Sequence, residues 1–332
     1  METRKVYKSG GSTFVMSLPK KWVTRNKIVE GDSVFIRELE GSLNVSARKQ
    51  ERKTTHSTIN AEKLSTPEDL KLLLISHYLV GYNDIVIKFD EGKRLEYKKH
   101  IREVISFLMG LEIAEEYEDH MILDVVLDQE KIPTLQALKR MKLIIKSMLK
   151  DTKEAIKEKN LLLAEDIITR ESEIDRLYFL IVRQLKSAVR YQETAERLGL
   201  SEQREALGFR LVVKSFERTS DHIENLINNY ISIASEDLDL RAPLEMLENT
   251  ITVFEESTNS IFKGDQKMAS ATFTRLKEIK QQYHEASDLI FTKELSRPAA
   301  IKYKGMIDSL LRIAEYSTDI AEIAINMSVA VP

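Results

Sequence analysis

Residues 217–225 read ERTSDHIEN and lie within a long run that has the spacing of an amphipathic helix. At about 3.6 residues per turn, Glu217, Asp221, Glu224 and Asn228 fall on one stripe. The apolar residues that cluster on roughly the opposite face are Val212, Phe216, Ile223, Leu226, Ile227 and Tyr230. The pattern predicts a helix that buries one side and presents an exposed carboxylate ladder on the other.

The same design returns near the C-terminus, where residues 315–326 read EYSTDIAEIAIN. The break KEKN at 157–160 corresponds to FKGD at 262–265, and Ala164 and Ala269 follow at equal distance. This duplication predicts two up-down-up three-helix units, at residues 133–236 and 237–332. The predicted helices span 134–159, 161–198, 202–235 (capped by Ser201), 243–263, 266–295 and 298–328.

Charge is distributed unevenly along the 332 residues. Residues 1–29 contain seven Lys or Arg and one acid, so they carry a formal charge of +6 and the rest of the chain carries −9. A basic end on an acidic body predicts that the two ends meet different partners. The absence of cysteine excludes thiolate catalysis, disulfides and zinc–thiolate sites. Without a membrane-length apolar run or a signal-peptide core, we expect a cytoplasmic location.

Residues 1–53 show the period of two that is typical of strands. Phe14, Met16 and Leu18 alternate with other side chains, a proline then starts a short helix, and a Gly-Asp turn leads into a hairpin. A unit of this size cannot bury a core alone, so we expect two copies to pair, with Trp22 in the dimer core.

Residues 10–36, GGSTFVMSLPKKWVTRNKIVEGDSVFI, resemble the AbrB/SpoVT/MazE family of swapped-hairpin DNA-binding domains. The shared pattern is a strand, Leu-Pro-Lys, a short helix, and Glu-Gly-Asp opening the next strand. The resemblance implies a small dimeric β-barrel whose basic loops contact DNA. Clustered Lys and Arg also bind phosphates through charge alone. The candidate DNA-binding residues are Arg4, Lys5, Lys8, Lys20, Lys21, Arg25 and Lys27.

Residues 54–132 alternate strand and helix patterns in the order βαβαββ, which predicts a small α+β middle domain with helices on one face. Strands are predicted at 55–59, 84–89, 111–117 and 121–127. Helices are predicted at 67–81, capped by Thr66, and at 95–109, ended by Gly110. A spacer, a dimerisation layer and a small-ligand sensor are all compatible with this pattern.

The helical half resembles the PhoU family of phosphate-signalling regulators, which are tandem three-helix bundles. Residues 216–227, FERTSDHIENLI, are similar to the family signature Glu-Arg-x-x-Asp-His-x-x-Asn-Ile, and residues 171–180, ESEIDRLYFL, to its acidic second-helix motif. With the N-terminal unit, the order resembles an archaeal-type fusion of PhoU with a DNA-binding domain. The resemblance implies a regulator of phosphate uptake whose partners are phosphate transporter components and, in bacteria, a sensor kinase.

Carboxylates four residues apart lie one above the other on a helix and can grip one hard cation. About eight acidic pairs of this spacing arise by chance at this composition, so a single pair is not informative. The prediction of metal binding depends on the recurrence of such pairs at matching places in the two repeats. The resemblance implies multinuclear clusters of iron, manganese or magnesium, which suit oxygen ligands. The implied ligands are Glu171, Asp175, Glu217 and Asp221, and, for a weaker second cluster, Glu315 and Asp319. His222 is expected to be a hydrogen-bonding residue at an interface rather than a ligand.

We expect no catalytic residues and no enzyme. A di-iron carboxylate oxidase requires Glu three residues before His on two helices, and none of the six histidines has it. The sequence therefore predicts a multidomain, DNA-binding regulator of phosphate homeostasis, a homodimer or higher homo-oligomer without membrane insertion. The alternative is an antitoxin-like or general transcription factor that uses the helical body only as a partner-binding scaffold. Antitoxins usually end in a short disordered tail, so a folded helical body favours a sensor.

Overall fold

The computed structural model describes residues 2–39, 41–47, 55–89, 92, 94–128, 131–292 and 295–329. The chain divides into two compact units, Met1–Thr54 and Thr55–Pro332. The predicted domain boundary at residues 53–54 lies outside the described residues. The second unit contains both the middle α+β region and the helical body.

The first unit consists of two antiparallel hairpins and a short helix. Its elements are β1 (Val6–Ser9), β2 (Thr13–Met16), α1 (Lys20–Arg25), β3 (Phe35–Leu39) and β4 (Ser42–Ser46). Strand β1, which the sequence reasoning missed, pairs with β2 from Val6↔Met16 to Ser9↔Thr13. None of the described side chains of this unit is buried, and Phe14 is 70% exposed. The described part of the unit therefore has no core of its own.

The predicted α+β region is confirmed. Its elements are β5 (His56–Asn60), α2 (Pro67–Val80), β6 (Asp84–Lys88), α3 (Arg94–Phe107), β7 (Leu111–Glu116) and β8 (His120–Val125). The sheet order is β5-β6-β8-β7, and only the β5–β6 pair is parallel. Alternate residues such as Ile85 and Ile87 pack against both helices, which cover one face. Thr66 and Asp69 form a capping box at the start of α2, which confirms the predicted cap at Thr66.

The helical body contains two tandem three-helix repeats, as predicted. Its helices are α4 (Thr134–Lys157), α5 (Leu161–Thr169), α6 (Glu171–Arg190), α7 (Gln192–Arg197), α8 (Glu205–Ile231), α9 (Arg241–Lys263), α10 (Gln266–Thr292) and α11 (Arg297–Ser328). One hydrophobic core joins both repeats, with α8 packed on α11 and α4 packed on α9. A Cβ at Gly208 would lie 2.5 Å from Met327 Sδ, so the missing side chain permits the close approach of α8 and α11.

Two local predictions in the helical body are wrong. The helix predicted over 161–198 is three helices, because the backbone tightens around Arg170 and Tyr191 is extended (φ −136°). Thr169 Oγ1 and Ser172 Oγ donate to carbonyls three residues earlier, at 2.7 and 2.9 Å, which favours a tight turn at the first break. Ser201 is not a side-chain cap: α8 begins at Glu205, whose carboxylate accepts from the Ser201 backbone N–H at 2.7 Å.

Candidate functional site

The carboxylates of the first repeat line the contact between α6 and α8. Glu171 and Asp175 lie at the start of α6, and Glu217, Asp221 and Glu224 lie along α8, which packs against it. We call these five residues the first acidic cluster. All five are half-buried, so the expectation of an exposed ladder is wrong. The stripe does face away from the apolar side of α8, but α6 covers it.

Burial and mutual repulsion raise the pKa values in the first acidic cluster. Burial, reinforced by the charges of Asp175, Glu224 and Asp221, raises the pKa of Glu171 to about 7. Burial and the nearby Glu217 raise the pKa of Asp221 to about 6. The pKa of Asp175 is raised by the same two causes. A hydrogen bond between Glu171 and Asp175 favours a protonated Glu171 donating to an ionised Asp175.

Lys214 is the cation that pairs with this cluster. Its Nζ donates to the two carboxylate oxygens of Glu217 at 2.5 and 2.6 Å. Next to it, Arg210 donates to the Tyr178 hydroxyl at 3.1 Å, and the Lys214 ammonium lies 5.3 Å from the Tyr178 ring. One lysine against five carboxylates leaves an excess of acidic groups, which a cation of higher charge would neutralise.

The donor chemistry fits a hard divalent cation, since carboxylate oxygens are its preferred ligands. The geometry is more open: across the described ranges, no three His, Cys, Asp or Glu side chains converge closely enough to hold a metal ion. The carboxylates therefore lie on two neighbouring helices, but no three of them are close enough to share one metal ion. Glu224, which was absent from the predicted ligands, belongs to the group through its position three residues after Asp221.

In the second repeat Arg312 pairs with Glu315 as Lys214 pairs with Glu217, and the difference is a second basic partner, Lys280. Glu315 lies 3.0 Å from Arg312 and 3.6 Å from Lys280. Lys280 follows Ala269 on α10 at the distance at which Asp175 follows Ala164, so a lysine stands where the first repeat has a carboxylate. Partial desolvation and the charges of Glu322 and Glu315 raise the pKa of Asp319, which Arg218 opposes.

His222 lies between the repeats. Its ring contacts that of Tyr316 on α11 with centroids 5.7 Å apart, while Arg218 lies 5.5 Å from the same ring. The interfacial position agrees with the prediction, but Nδ1 is buried without a hydrogen-bond partner in the described structure. Burial and the nearby Arg312 lower the pKa of His222.

The seven basic residues predicted to bind DNA are all exposed. Arg4, Lys20, Lys21 and Arg25 line one surface groove. Of the seven residues predicted to bind DNA, Arg4 alone has a carboxylate partner within the described residues, at 2.6 Å from Glu2. The other six, which have no carboxylate at ion-pair distance among the residues described, are Lys5, Lys8, Lys20, Lys21, Arg25 and Lys27.

Comparison with known proteins follows this division of the chain. A family model described as "PhoU domain" matches residues 138–229 and 244–324, more than half of the chain. The chain therefore belongs to the PhoU family, whose members are regulators rather than enzymes. Residues 7–53 match a model described as "Antidote-toxin recognition MazE, bacterial antitoxin". No curated protein matches the chain significantly.

Two solved structures share the fold of the helical body. The phosphate transport system regulatory protein PhoU from Streptococcus pneumoniae has a TM-score of 0.51 at 18% identity, covering 58% of this chain and 92% of that chain. PhoU from Pseudomonas aeruginosa has a TM-score of 0.52 at 18% identity, covering 58% and 94%. Within the described residues, no helix combines the length and apolar character needed to cross a membrane.

Proposed function

We propose that this PhoU-family protein is a DNA-binding regulator of phosphate uptake. The observation that carries this proposal is that a PhoU body is joined to a MazE-like unit with seven exposed basic side chains among its described residues. The first unit buries none of its described side chains, which supports pairing with a second copy as a homodimer. A regulator that binds DNA acts in the cytoplasm, and the regulators named PhoU suggest phosphate transporter components as further partners.

The test is an electrophoretic shift with promoter DNA at low and high salt. We expect binding that weakens steeply with salt, because phosphate contacts release counterions. Lys20→Gln/Lys21→Gln should bind more weakly, while the control Lys150→Gln/Lys153→Gln, with the same charge change on α4, should retain affinity. The absence of any wild-type shift at low salt would exclude the DNA-binding role.

Genome-wide occupancy with and without phosphate separates the two candidate functions. Occupancy that changes with phosphate supports the phosphate regulator. Occupancy that does not depend on phosphate supports the second candidate function, an antitoxin-like or general transcription factor. The match to the MazE model favours that candidate.

We further propose that the first acidic cluster binds iron, manganese or magnesium through Glu171, Asp175, Glu217 and Asp221, with Glu224 close by. A bound divalent cation would supply the neutralising charge that Lys214 only partly provides, and its role would be regulatory, not catalytic. Such binding requires the carboxylates of α6 and α8 to draw together. Glu315 and Asp319 make a weaker second candidate, because Lys280 and Arg312 already pair with Glu315.

Metal analysis of protein purified without chelator tests this assignment. Glu217→Ala/Asp221→Ala should lose most of the bound metal, whereas Glu315→Ala/Asp319→Ala, the matched pair at the weaker candidate in the second repeat, should lose less. Equal metal content in wild type and the first variant would refute the site.

A further inference from the structure

A row of lysines follows the seam between α4 and α9. The two helices run antiparallel: Lys142 Nζ donates to Asn259 Oδ1 at 2.5 Å, and further along Lys153 lies 2.9 Å from Glu248. The lysines of α4 recur every three or four residues, which places them on one side of the helix.

The row is neutralised at one end only. Lys146 lies 2.9 Å from Glu255, Lys150 lies 3.9 Å from the same carboxylate, and Lys153 pairs with Glu248. Lys139 and Lys142 come nearer to the start of α4, and within the described residues neither has a carboxylate at ion-pair distance. Uncompensated charge is therefore confined to the first half of α4.

Both lysines lie beside the same phenyl ring, and Lys142 also donates to Asn259. Lys139 Nζ lies 5.7 Å and Lys142 Nζ lies 5.6 Å from the centroid of Phe262. The next residue, Lys263, ends α9. Burial, followed by the positive charge of Lys146, lowers the pKa of Lys142; Lys263 and Lys139 add to the effect and Glu255 opposes it. We call Lys139, Lys142, Lys146 and Lys263 the lysine cluster; Lys146 is the member that also pairs with Glu255.

We propose that the lysine cluster binds a compact, multiply charged phosphate anion of the condensed-phosphate class, such as pyrophosphate or tripolyphosphate. From Lys139 to Lys146 the helix rises roughly 10 Å, which suits a ligand of a few phosphoryl groups. An extended polyanion such as duplex DNA would need the rest of the row, where glutamates already occupy the lysines. Lysine ammoniums act as point charges without the planar fork of arginine, so charge density determines binding more than ligand shape. The lysine cluster shares no residue with the first acidic cluster or with the seven basic residues predicted to bind DNA.

Lysine acylation of the full-length protein locates the ligand directly. The protein is treated with limiting acetic anhydride, which acetylates lysine amines and releases acetate, with and without tripolyphosphate, and modified peptides are quantified by mass spectrometry. We expect acylation of Lys139 and Lys142 to slow about fivefold, and that of the ion-paired Lys150 and Lys153 to change less than about twofold. No protection, or equal protection of all four lysines, would overturn the site.

Calorimetric titration with tripolyphosphate tests the same residues by affinity. Lys139→Gln/Lys142→Gln should bind about tenfold more weakly than the control Lys150→Gln/Lys153→Gln, although both variants lose two charges and retain the N-terminal basic residues. Circular dichroism verifies that both variants fold. Equal weakening in the two variants would reduce the effect to general charge and refute the proposal.

Parallel titrations separate the possible sources of the phosphate groups. Orthophosphate should bind more weakly than tripolyphosphate, because it brings fewer charges to the cluster. Duplex DNA should bind both double variants equally. A loss of DNA affinity specific to Lys139→Gln/Lys142→Gln would instead assign the cluster to nucleic acid and overturn the choice of a compact ligand.

Discussion

Replacing Arg183 by methionine tests how the helical body holds the middle region. Arg183 lies on α6 and is 1% exposed. Its Nη1 donates to the backbone carbonyl of Tyr78, and to that of Tyr82 at 2.9 Å, at the C-terminal end of α2. The guanidinium also lies 4.7 Å from the Tyr78 ring centroid. A buried cation at this end of α2 donates to carbonyls at the helix C-terminus and compensates the negative end of the helix dipole.

The expected cost follows from these contacts. Hydrogen bonds from a charged donor contribute about 1.5–3 kcal/mol each, and the desolvated cation–π contact contributes about 2 kcal/mol. Methionine retains the apolar stem and removes the cost of burying a charge, which offsets part of the loss. We expect Arg183→Met to lower the free energy of unfolding by about 3–5 kcal/mol. The loss for Arg183→Lys should lie between zero and that for Arg183→Met, because an ammonium keeps the charge but cannot reproduce the planar guanidinium fork.

Urea unfolding monitored by circular dichroism gives the loss in stability, and hydrogen exchange along α2 shows whether it is local. Arg176→Met is the matched control, since Arg176 is exposed on the same helix and should change stability by less than about 0.5 kcal/mol. A loss below about 1 kcal/mol for Arg183→Met, with unchanged exchange in α2, would contradict the assigned role of the buried cation.

Periodicity predicts most helices and strands of this fold because each of them buries one face. It fails at helix ends and short strands, which depend on local backbone geometry. The apolar pattern continues from α5 through Arg170 into α6, so periodicity predicts one helix there. The chain turns at this point because two side-chain hydroxyls bond to backbone carbonyls. Strand β1 is only four residues long and includes Lys8, which reads more readily as part of a basic arm. The carboxylate ladder followed from spacing alone, but its burial depends on how α6 packs on α8, which spacing does not specify.

Three further predictions concern single sites. In thermal unfolding, Gly110→Ala should destabilise the protein by about 2–4 kcal/mol, because φ is +77° and the new Cβ would lie 2.2 Å from a leucine Cβ. The control Gly264→Ala has φ +65° but open space around the new Cβ, so it should cost about 1 kcal/mol. Equal losses of stability in the two variants would contradict the clash. Asp124→Asn should stabilise by a few tenths of a kcal/mol at pH 7, because burial and the directly opposite Asp84 raise the pKa of Asp124. The folded state then binds the Asp124 proton more tightly than the unfolded state, so ionised Asp124 lowers stability when the pH rises above the ordinary aspartate range. In urea unfolding, the stabilisation by asparagine should therefore vanish at pH 3. A stabilisation that does not depend on pH would contradict the repulsion between Asp124 and Asp84. Lys214→Gln should tighten manganese binding about fivefold in calorimetric titration, an effect near 1 kcal/mol, because the cation paired with the first acidic cluster is removed; unchanged or weaker binding would contradict the proposed site.

The two repeats have diverged in how they compensate their carboxylates. In the first, a half-buried group of five acids faces Lys214, and burial with mutual repulsion raises the pKa values of three of them. In the second, Lys280 reaches across from α10 and joins Arg312 on Glu315, so protein cations supply the compensating charge. Spacing along α11 alone could not distinguish these cases, because the deciding lysine lies on another helix. Since α8 and α11 pack together through His222 and Tyr316, a cation drawn into the first repeat would act beside a second repeat whose ion pairs are already made. On the proposed assignment, cation binding would change the charge of the first repeat most, because two protein cations already pair with Glu315 in the second.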